Sequence, residues 1–486
     1  MTSPVVQPNG LVAHPEPAPL PFGPSTLADI LAEGVANHPD RLALIDGHFT
    51  WTYAELHEQV AELAESWLKD RSVFNAFWVL GSPTSAVFVI SHLAQWRMGR
   101  LWVAGKTKPD MSEPEKLADS VAGASINPGD PAVVAFTSGT TGEPKRVVHS
   151  HRSMLLPAAV SAHVEPAQDG ERIGTPLDLR IANVMILGPL SAFIRGSTFV
   201  FMGDTTAAAM ADDIERHGIT RLITVPTLAH DLVTSLDISS SQLVSLDRVI
   251  LGGSGARPEM LQSFTDRFGV RPTLSYGLSE APTGVVRESL GDPIGSGKGH
   301  PLPHVEIVVC DPESGEPRDV GEIGEICVKA VSSGPWAKCW TGTLGYLGQP
   351  DLTEKLFRGG VMHTGDLGFI DAEGRVSVTG RMTDMIVRGG LNVDPNAIRD
   401  ALLADASVLD AHVVGYPDER LGQAIGAVVV LDHAETVDQS ELLERLRAHC
   451  APSPGPDQVV VVDEIPRNQL GKPDRSIAEQ FPGGGV

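Results

Sequence analysis

At 486 residues the chain exceeds what one hydrophobic core supports, so two or more domains are expected. A hydrophobic content of 42% is that of a globular protein, and no apolar run approaches the roughly 20 residues that span a bilayer. A formal charge of −24 argues against nucleic acid or an anionic membrane as partner, so an anionic substrate needs locally placed lysines and arginines. The N-terminus lacks the basic-then-apolar order of a secretory signal, and its Pro-rich opening to Pro24 reads as a loosely held arm. Cys310, Cys327, Cys339 and Cys450 show no metal-ligand spacing and read as reduced thiols of a cytoplasmic protein.

In chain order, Leu27 to Asn37 and Tyr53 to Lys69 carry helical apolar spacing. Ala76 to Leu80 reads as a strand, Ala86 to Met98 as a helix, and Ala132 to Phe136 as a buried strand. Strands at Ser197–Met202, Arg221–Val225 and Arg248–Leu251 then alternate with helices at Ala208–His217, Thr227–Ser235 and Pro258–Phe268. That alternation predicts an α/β layered body with parallel strands. From Val305 the texture changes to short β runs, Val305–Cys310, Glu325–Val331 and Val376–Thr379, which predict a small β subdomain. A compact α+β pattern follows: helix Pro395–Ala404, strands Val408–Tyr416 and Ala424–Leu431, helix Ser440–Ala448 and strand Val459–Val462. The expected division is an N-terminal body over 1–380, a hinge at 381–383 and a small mobile C-terminal domain over 384–486.

The chemistry-bearing motifs follow strand ends, where open α/β sheets bind ligands. Thr137-Ser138-Gly139-Thr140-Thr141-Gly142-Glu143-Pro144-Lys145 alternates hydroxyls with glycines and closes on a lysine. Such a loop turns backbone N–H groups and hydroxyls inward around a polyphosphate, and it lacks the spacing of the common P-loop. Leu251-Gly252-Gly253-Ser254-Gly255-Ala256 lets a flat ring lie against backbone, or simply makes a tight strand–helix turn. Ser275-Tyr276-Gly277-Leu278-Ser279-Glu280 offers an aromatic face, a hydroxyl and a carboxylate suited to Mg²⁺. His363-Thr364-Gly365-Asp366 presents an acceptor for a vicinal diol such as ribose. Lys472 lies between Gly471 and Pro473 near the chain's end, either solvated or fixed to reach into a cleft.

Taken in this order, from Thr52-Tyr53-Ala54-Glu55-Leu56 to Arg475, the set resembles the adenylate-forming superfamily, in its acyl-CoA synthetase branch. The resemblance implies that a carboxylate attacks the α-phosphorus of MgATP, giving an acyl-adenylate and pyrophosphate. Rotation of the C-terminal domain then lets the thiol of coenzyme A take the acyl group. Residue by residue it implies that Thr137, Ser138, Gly139, Thr140, Thr141, Gly142 and Lys145 hold the β- and γ-phosphates. Ser254 and Gly255 would line adenine, with Tyr276 on the ring face. Ser279 would meet the α-phosphate, Glu280 the Mg²⁺, and Asp366 and Arg381 the ribose. Lys472 matches the adenylation lysine. The segment Arg388-Gly389-Gly390 would replace it after rotation, its glycines leaving room for pantetheine. Thr383 occupies the hinge position, where the family usually has Asp or Lys.

Four departures bear on the first half-reaction. The family's Pro-x-x-His-like run aligns here with Gly188-Pro189-Leu190-Ser191-Ala192-Phe193, putting Ala192 at the key position of the acid pocket. The others are Thr383, Arg146 where glycine is common, and a short interval between Tyr53 and Thr137, trimmed around Lys106–Ala124. Acid-pocket walls are expected from Asn183–Arg195, Thr227–Asp231 with His230, Gly252–Gly253 and Gly277–Gly284. Ala192, Gly253 and Gly284 suggest open space for a bulky or aromatic acid beside Phe193. Gly, Ala, Asp and Arg usage is associated with GC-rich bacteria, where such enzymes serve secondary metabolism, including antibiotic biosynthesis. The expectation is a cytoplasmic acid–thiol ligase, monomer or homodimer, using ATP, Mg²⁺ and coenzyme A, with room for a partner enzyme of the same pathway. Three alternatives stand beside it: thioester formation alone on an adenylate made elsewhere, amide synthesis, and non-catalytic nucleotide or acyl binding.

Overall fold

The computed structural model describes residues 4–69, 84–104, 126–137, 145–282, 284–432, 438–466, 477 and 480–481. It divides into two compact units, one of residues 1–308 with 327–364, the other of 309–326 with 365–486. In the first unit β1 (Leu42–Asp46) and β2 (Phe49–Thr52) form a hairpin; β3 (Trp102–Ala104), β4 (Pro131–Thr137) and β5 (Lys145–Ser150) follow. Then come β6 (Arg172–Thr175), β7 (Thr198–Phe201), β8 (Arg221–Thr224), β9 (Arg248–Leu251), β10 (Pro272–Tyr276), β11 (Val286–Arg287) and β12 (Lys298–Pro301). They make a sheet in the order β12-β11-β10-β9-β8-β6-β7-β1-β2, parallel from β10 to β1. Helices cover these parallel strands, so their central residues, such as Phe199, Val200, Leu222, Ile223, Val249 and Ile250, are buried and apolar. The predicted helix at Ala86 is Ala86–Arg97, and that at Tyr53 is Tyr53–Lys69 as read.

Tyr53 anchors the first layer. Leu56, Val60 and Ala64 follow it at helical spacing, and all four are buried against Phe88, Trp96 and Trp102. The Tyr53 hydroxyl donates to the carbonyls of Ala192 (3.2 Å) and Ser197 (2.8 Å). A Cβ at Gly34 would sit 2.2 Å from the Tyr53 ring, so the helix Ala32–Asn37 approaches only because that residue is glycine. The predicted continuous helix from Leu27 is divided, with Leu27–Asp29 a single tight turn whose first N–H donates to His151.

A charged interior lies at the opposite end of the parallel strands from their carboxyl termini. Glu171 receives Arg195 in a fork (2.7 and 2.6 Å), Ser197 Oγ and Arg221 Nε. Arg221 also reaches Glu165 at 2.8 Å. Shared, forked bonds satisfy charges that could not otherwise be taken from water.

The loosely held arm is not what the structure shows. Leu11 and Val12 are buried, Leu11 bridges Gly345, Val12 N–H donates to Leu344, and the Pro19 carbonyl accepts from Cys339. Backbone pairing outweighs the segment's low apolar content. All four cysteines are free and buried, in keeping with reduced thiols. The strand expected at Ala76–Leu80 and the trimmed Lys106–Ala124 stretch lie outside the described residues.

β13 (Val305–Cys310), β14 (Gly324–Ala330) and β17 (Val376–Arg381) realise the predicted short β runs, and β15 (Gly345–Tyr346) and β16 (Met362–Ile370) are added to them. β15 joins a second sheet of the first unit, β15-β5-β4-β3. The second unit adds β18 (Ile386–Arg388), β19 (Leu391–Val393), β20 (Val408–Asp418), β21 (Gly422–Leu431) and β22 (Gln458–Val461). The helices Pro395–Leu402 and Gln439–Cys450 share its core with Ile386, Val413, Ile425 and Val459.

Candidate active site

β6, β8, β9 and β10 end together, because Thr224 pairs with Leu251 and Leu251 with Leu274 in parallel register. The loops that follow therefore emerge on one edge. They carry Gly252–Gly255, Tyr276–Glu280 and the helix Pro226–Thr234 with His230. Gly253 has φ +89°, its nearest neighbour would be Val225 at 3.8 Å, and Gly252 and Gly255 face open space. Ser254 and Gly255 are exposed, Tyr276 and Gly277 half-buried, and His230 exposed. That surface can receive a flat ring.

The loop from Ser138 through Thr140, Thr141 and Gly142 lies outside the described residues, as does Gly139, but its flanks are clear. Thr137 pairs with Lys145 across β4 and β5. The Lys145 Nζ lies 5.1 Å from the centre of the Tyr346 ring, and the Tyr346 hydroxyl donates to Glu280 Oε1 at 2.7 Å. Burial, then the Glu280 charge, pushes the Tyr346 phenol well above its ordinary range, so it stays a donor. Glu280 is half-buried, its carbonyl accepts the Thr343 N–H at 3.0 Å, and its second oxygen has no partner among the described residues. A hard oxygen donor held this way fits a divalent cation. Ser279 is half-buried, with its main chain beside His149, a wholly buried ring that burial lowers to about 4. The Ser279 main chain opposes that shift without outweighing burial, and neither ring nitrogen reaches hydrogen-bond geometry.

The acid-pocket expectation needs correction. Ala192 and Phe193 lie in the short helix Ser191–Arg195, 0% and 1% exposed, with Phe193 edge-on to Tyr53 at 6.4 Å. Packing under the sheet makes them core, not wall. Gly284 leaves no open space either: a Cβ there would meet Ser275 Oγ at 2.7 Å. The strand end that does reach the ligand edge is Thr175, followed by a pair not singled out from sequence. Asp178 and Arg180 form a forked bridge (3.0 and 2.6 Å) while half-buried. Alternating charged and apolar residues after a strand were the available signal. Tyr346 was also missed, since it lies 66 residues from its partner Glu280.

In the second unit Asp366 and Arg381 are opposite partners of the β16–β17 hairpin, and Arg381 Nε meets Asp366 Oδ1 at 3.0 Å. The two expected ribose ligands are thus brought together. Thr383 is exposed within the turn Met382–Asp384 and bonds Asp384 at 3.1 Å. It lies inside the second unit, where Asn396 also ties the helix Pro395–Leu402 to the Thr379 carbonyl at 3.1 Å. Arg388 is committed to Asp457 by a fork (3.0 and 2.7 Å), a bond that raises its pKa. Gly389 and Gly390 have φ +59° and +83° and close the two-residue turn between Arg388 and Leu391. A primed hairpin turn favours glycine at both positions whatever passes over them. Lys472 lies outside the described residues.

A family model for AMP-binding enzymes matches residues 101–334, and one for the AMP-binding enzyme C-terminal domain matches 398–472. The chain is 33% identical over 364 residues to the medium/long-chain fatty acid–CoA ligase FadD8 of Mycobacterium tuberculosis, spanning 72% of this chain and 61% of that relative. It is 30% identical over 347 residues to the feruloyl-CoA synthase of an Amycolatopsis species, spanning 71% and 68%. The fold resembles ATP-bound MatB from Rhodopseudomonas palustris, with a TM-score of 0.78 at 22% identity over 93% of this chain and 98% of that one. No described helix is long and apolar enough to cross a membrane.

Proposed function

The chain belongs to the AMP-binding enzyme family, within the adenylate-forming superfamily, and from that premise we propose that it is an acid–thiol ligase producing an acyl-CoA. The observation that carries the reading is the Lys145–Tyr346–Glu280 cluster, in which an ammonium and a carboxylate flank one ring.

In the first step a carboxylate oxygen of the acid bonds to the α-phosphorus of ATP and the bond to the β-phosphate breaks, releasing pyrophosphate. Lys145 and the hydroxyl-rich loop hold the phosphates in this reading. Glu280 is the ligand for Mg²⁺, which supplies charge neutralisation along the triphosphate when bound. Gly252–Gly255 and Tyr276 take adenine, and Asp366 with Arg381 takes ribose. Lys472 stabilises charge developing between acid and α-phosphate, a preorganised contact typically worth ~3–4 kcal/mol. In the second step the coenzyme A sulfur bonds to the acyl carbon, the bond to AMP breaks, and the thiol proton leaves to water. Exchange of Lys472 for the 388–390 turn, by movement of a domain beginning near 381–383, separates the two steps. The acid lies against Gly252–Gly253 and Gly277, beside His230.

The test is to incubate the protein with a carboxylic acid library, with and without ATP, coenzyme A and amines, and to weigh the products. A parallel arm supplies synthetic acyl-adenylates. Acyl-CoA formed from acid only when ATP and coenzyme A are both present, and formed also from supplied adenylate with coenzyme A, supports the proposal. Thioester formed only from supplied adenylate, an amide, or no turnover would replace it with one of the three alternatives. Lys472→Ala should lower acid-dependent pyrophosphate exchange about 10²–10³-fold while sparing thioester formation from supplied adenylate.

A further inference from the structure

Two charges meant for one ligand face a common difficulty: an ammonium and a carboxylate side by side neutralise each other before the ligand arrives. Among the described residues no ion pair joins Lys145 to Glu280, although both touch Tyr346. Resting on the reading above, we propose that Tyr346 is a positioning residue that keeps Lys145 and Glu280 apart and separately aimed, one at phosphate and one at the metal.

The fold fixes the main chain that carries this side chain. Tyr346 pairs with Val147 in antiparallel register, so Lys145, two residues along β5 on the same face, is its diagonal neighbour. That register explains why the lysine lies over the ring. The Tyr346 N–H donates to Thr353 Oγ1 at 2.9 Å, and Thr353, itself fully buried, donates to the Gly10 carbonyl at 2.7 Å. Gly345 admits this approach: at φ +117° a Cβ would meet Thr353 at 2.6 Å. Three residues earlier, the Thr343 N–H holds the Glu280 carbonyl at 3.0 Å, tying the loop after β10 to the run that carries Tyr346. The tyrosine is 5% exposed, so its hydroxyl gains little from water and spends its hydrogen bond on Glu280 Oε1. One carboxylate oxygen is thereby oriented, and the ring face offers the ammonium an attraction that does not neutralise it.

The experiment measures binding, not turnover. A non-hydrolysable ATP analogue is titrated calorimetrically into wild type, Tyr346→Phe, Tyr346→Leu and Glu280→Gln, with and without Mg²⁺. Tyr346→Phe keeps the ring and should weaken only the Mg²⁺-dependent component, about tenfold, the loss of one bond to a charged group. Tyr346→Leu removes the ring and should also weaken Mg²⁺-free binding. Wild-type Mg²⁺ dependence in Tyr346→Phe overturns the proposal, as does equal weakening with and without Mg²⁺ accompanied by a lowered Tm. If Glu280→Gln loses the Mg²⁺ component and Tyr346→Phe does not, only the role of Tyr346 falls. If Glu280→Gln also keeps it, the assignment of Glu280 as metal ligand falls as well.

Discussion

Glu171 is buried yet receives Arg195, Ser197 and Arg221, which hold its carboxyl below the ordinary range against the opposing effect of burial. Removing its charge strands the buried Arg195 guanidinium and leaves Arg221 to Glu165 alone. Glu171→Gln should therefore destabilise the protein by about 3–5 kcal/mol, read as a lowered denaturation midpoint at unchanged m. A loss under 1 kcal/mol would mean that water or Glu165 takes over. Arg388 teaches the opposite lesson about residue scale. A family motif put it near coenzyme A, but its fork to Asp457 gives it a structural task in the second unit. The motif alone does not distinguish a ligand-facing guanidinium from one that braces a turn.

At the scale of elements, β5 and the helix after it carry two buried histidines, His149 and His151, each lowered to about 4 chiefly by burial. His92, in the helix Ala86–Arg97, is lowered to about 3 for the same reason, as is His304. In the unfolded chain each would titrate near 6.5. The folded state thus binds fewer protons between those values, and stability present above about pH 6.5 is lost as pH falls toward 4. At pH 5.5 each ring costs about 1.4 kcal/mol relative to neutral pH. Thermal unfolding should shift downward steeply between pH 7 and 5, and His304→Asn should flatten that slope. An unchanged slope would show that His304 is already charged or solvated. β7, β8 and β9 were legible from their apolar residues, whereas β6, Arg172-Ile173-Gly174-Thr175, was not predicted because it carries no apolar run. The helix Ser191–Arg195 was expected in a ligand pocket because Gly188–Phe193 aligns with the family's Pro-x-x-His-like run, while its packing against Tyr53 buries it.

At the scale of the molecule, the two half-reactions need a pivot. Thr383→Pro, restricting the turn after β17, should slow acyl-CoA turnover at least about tenfold while pyrophosphate exchange persists, if movement there separates the steps. Equal loss of both would place the pivot elsewhere, for instance nearer the boundary of the two units at Thr364 and Gly365.

The α/β order, and the loop and strand-end motifs that carry Lys145 and Glu280, were set by the chain alone, since periodicity and local motifs act over a few residues. Which side chains meet was decided only by tertiary structure. The Asp366–Arg381 bridge needs a hairpin, the burial of Ala192 and Phe193 needs a helix from elsewhere in the chain, and the Tyr346–Glu280 bond needs two sheets. A hydrogen bond depends on ångström distances between remote segments, and sequence spacing carries no such distance.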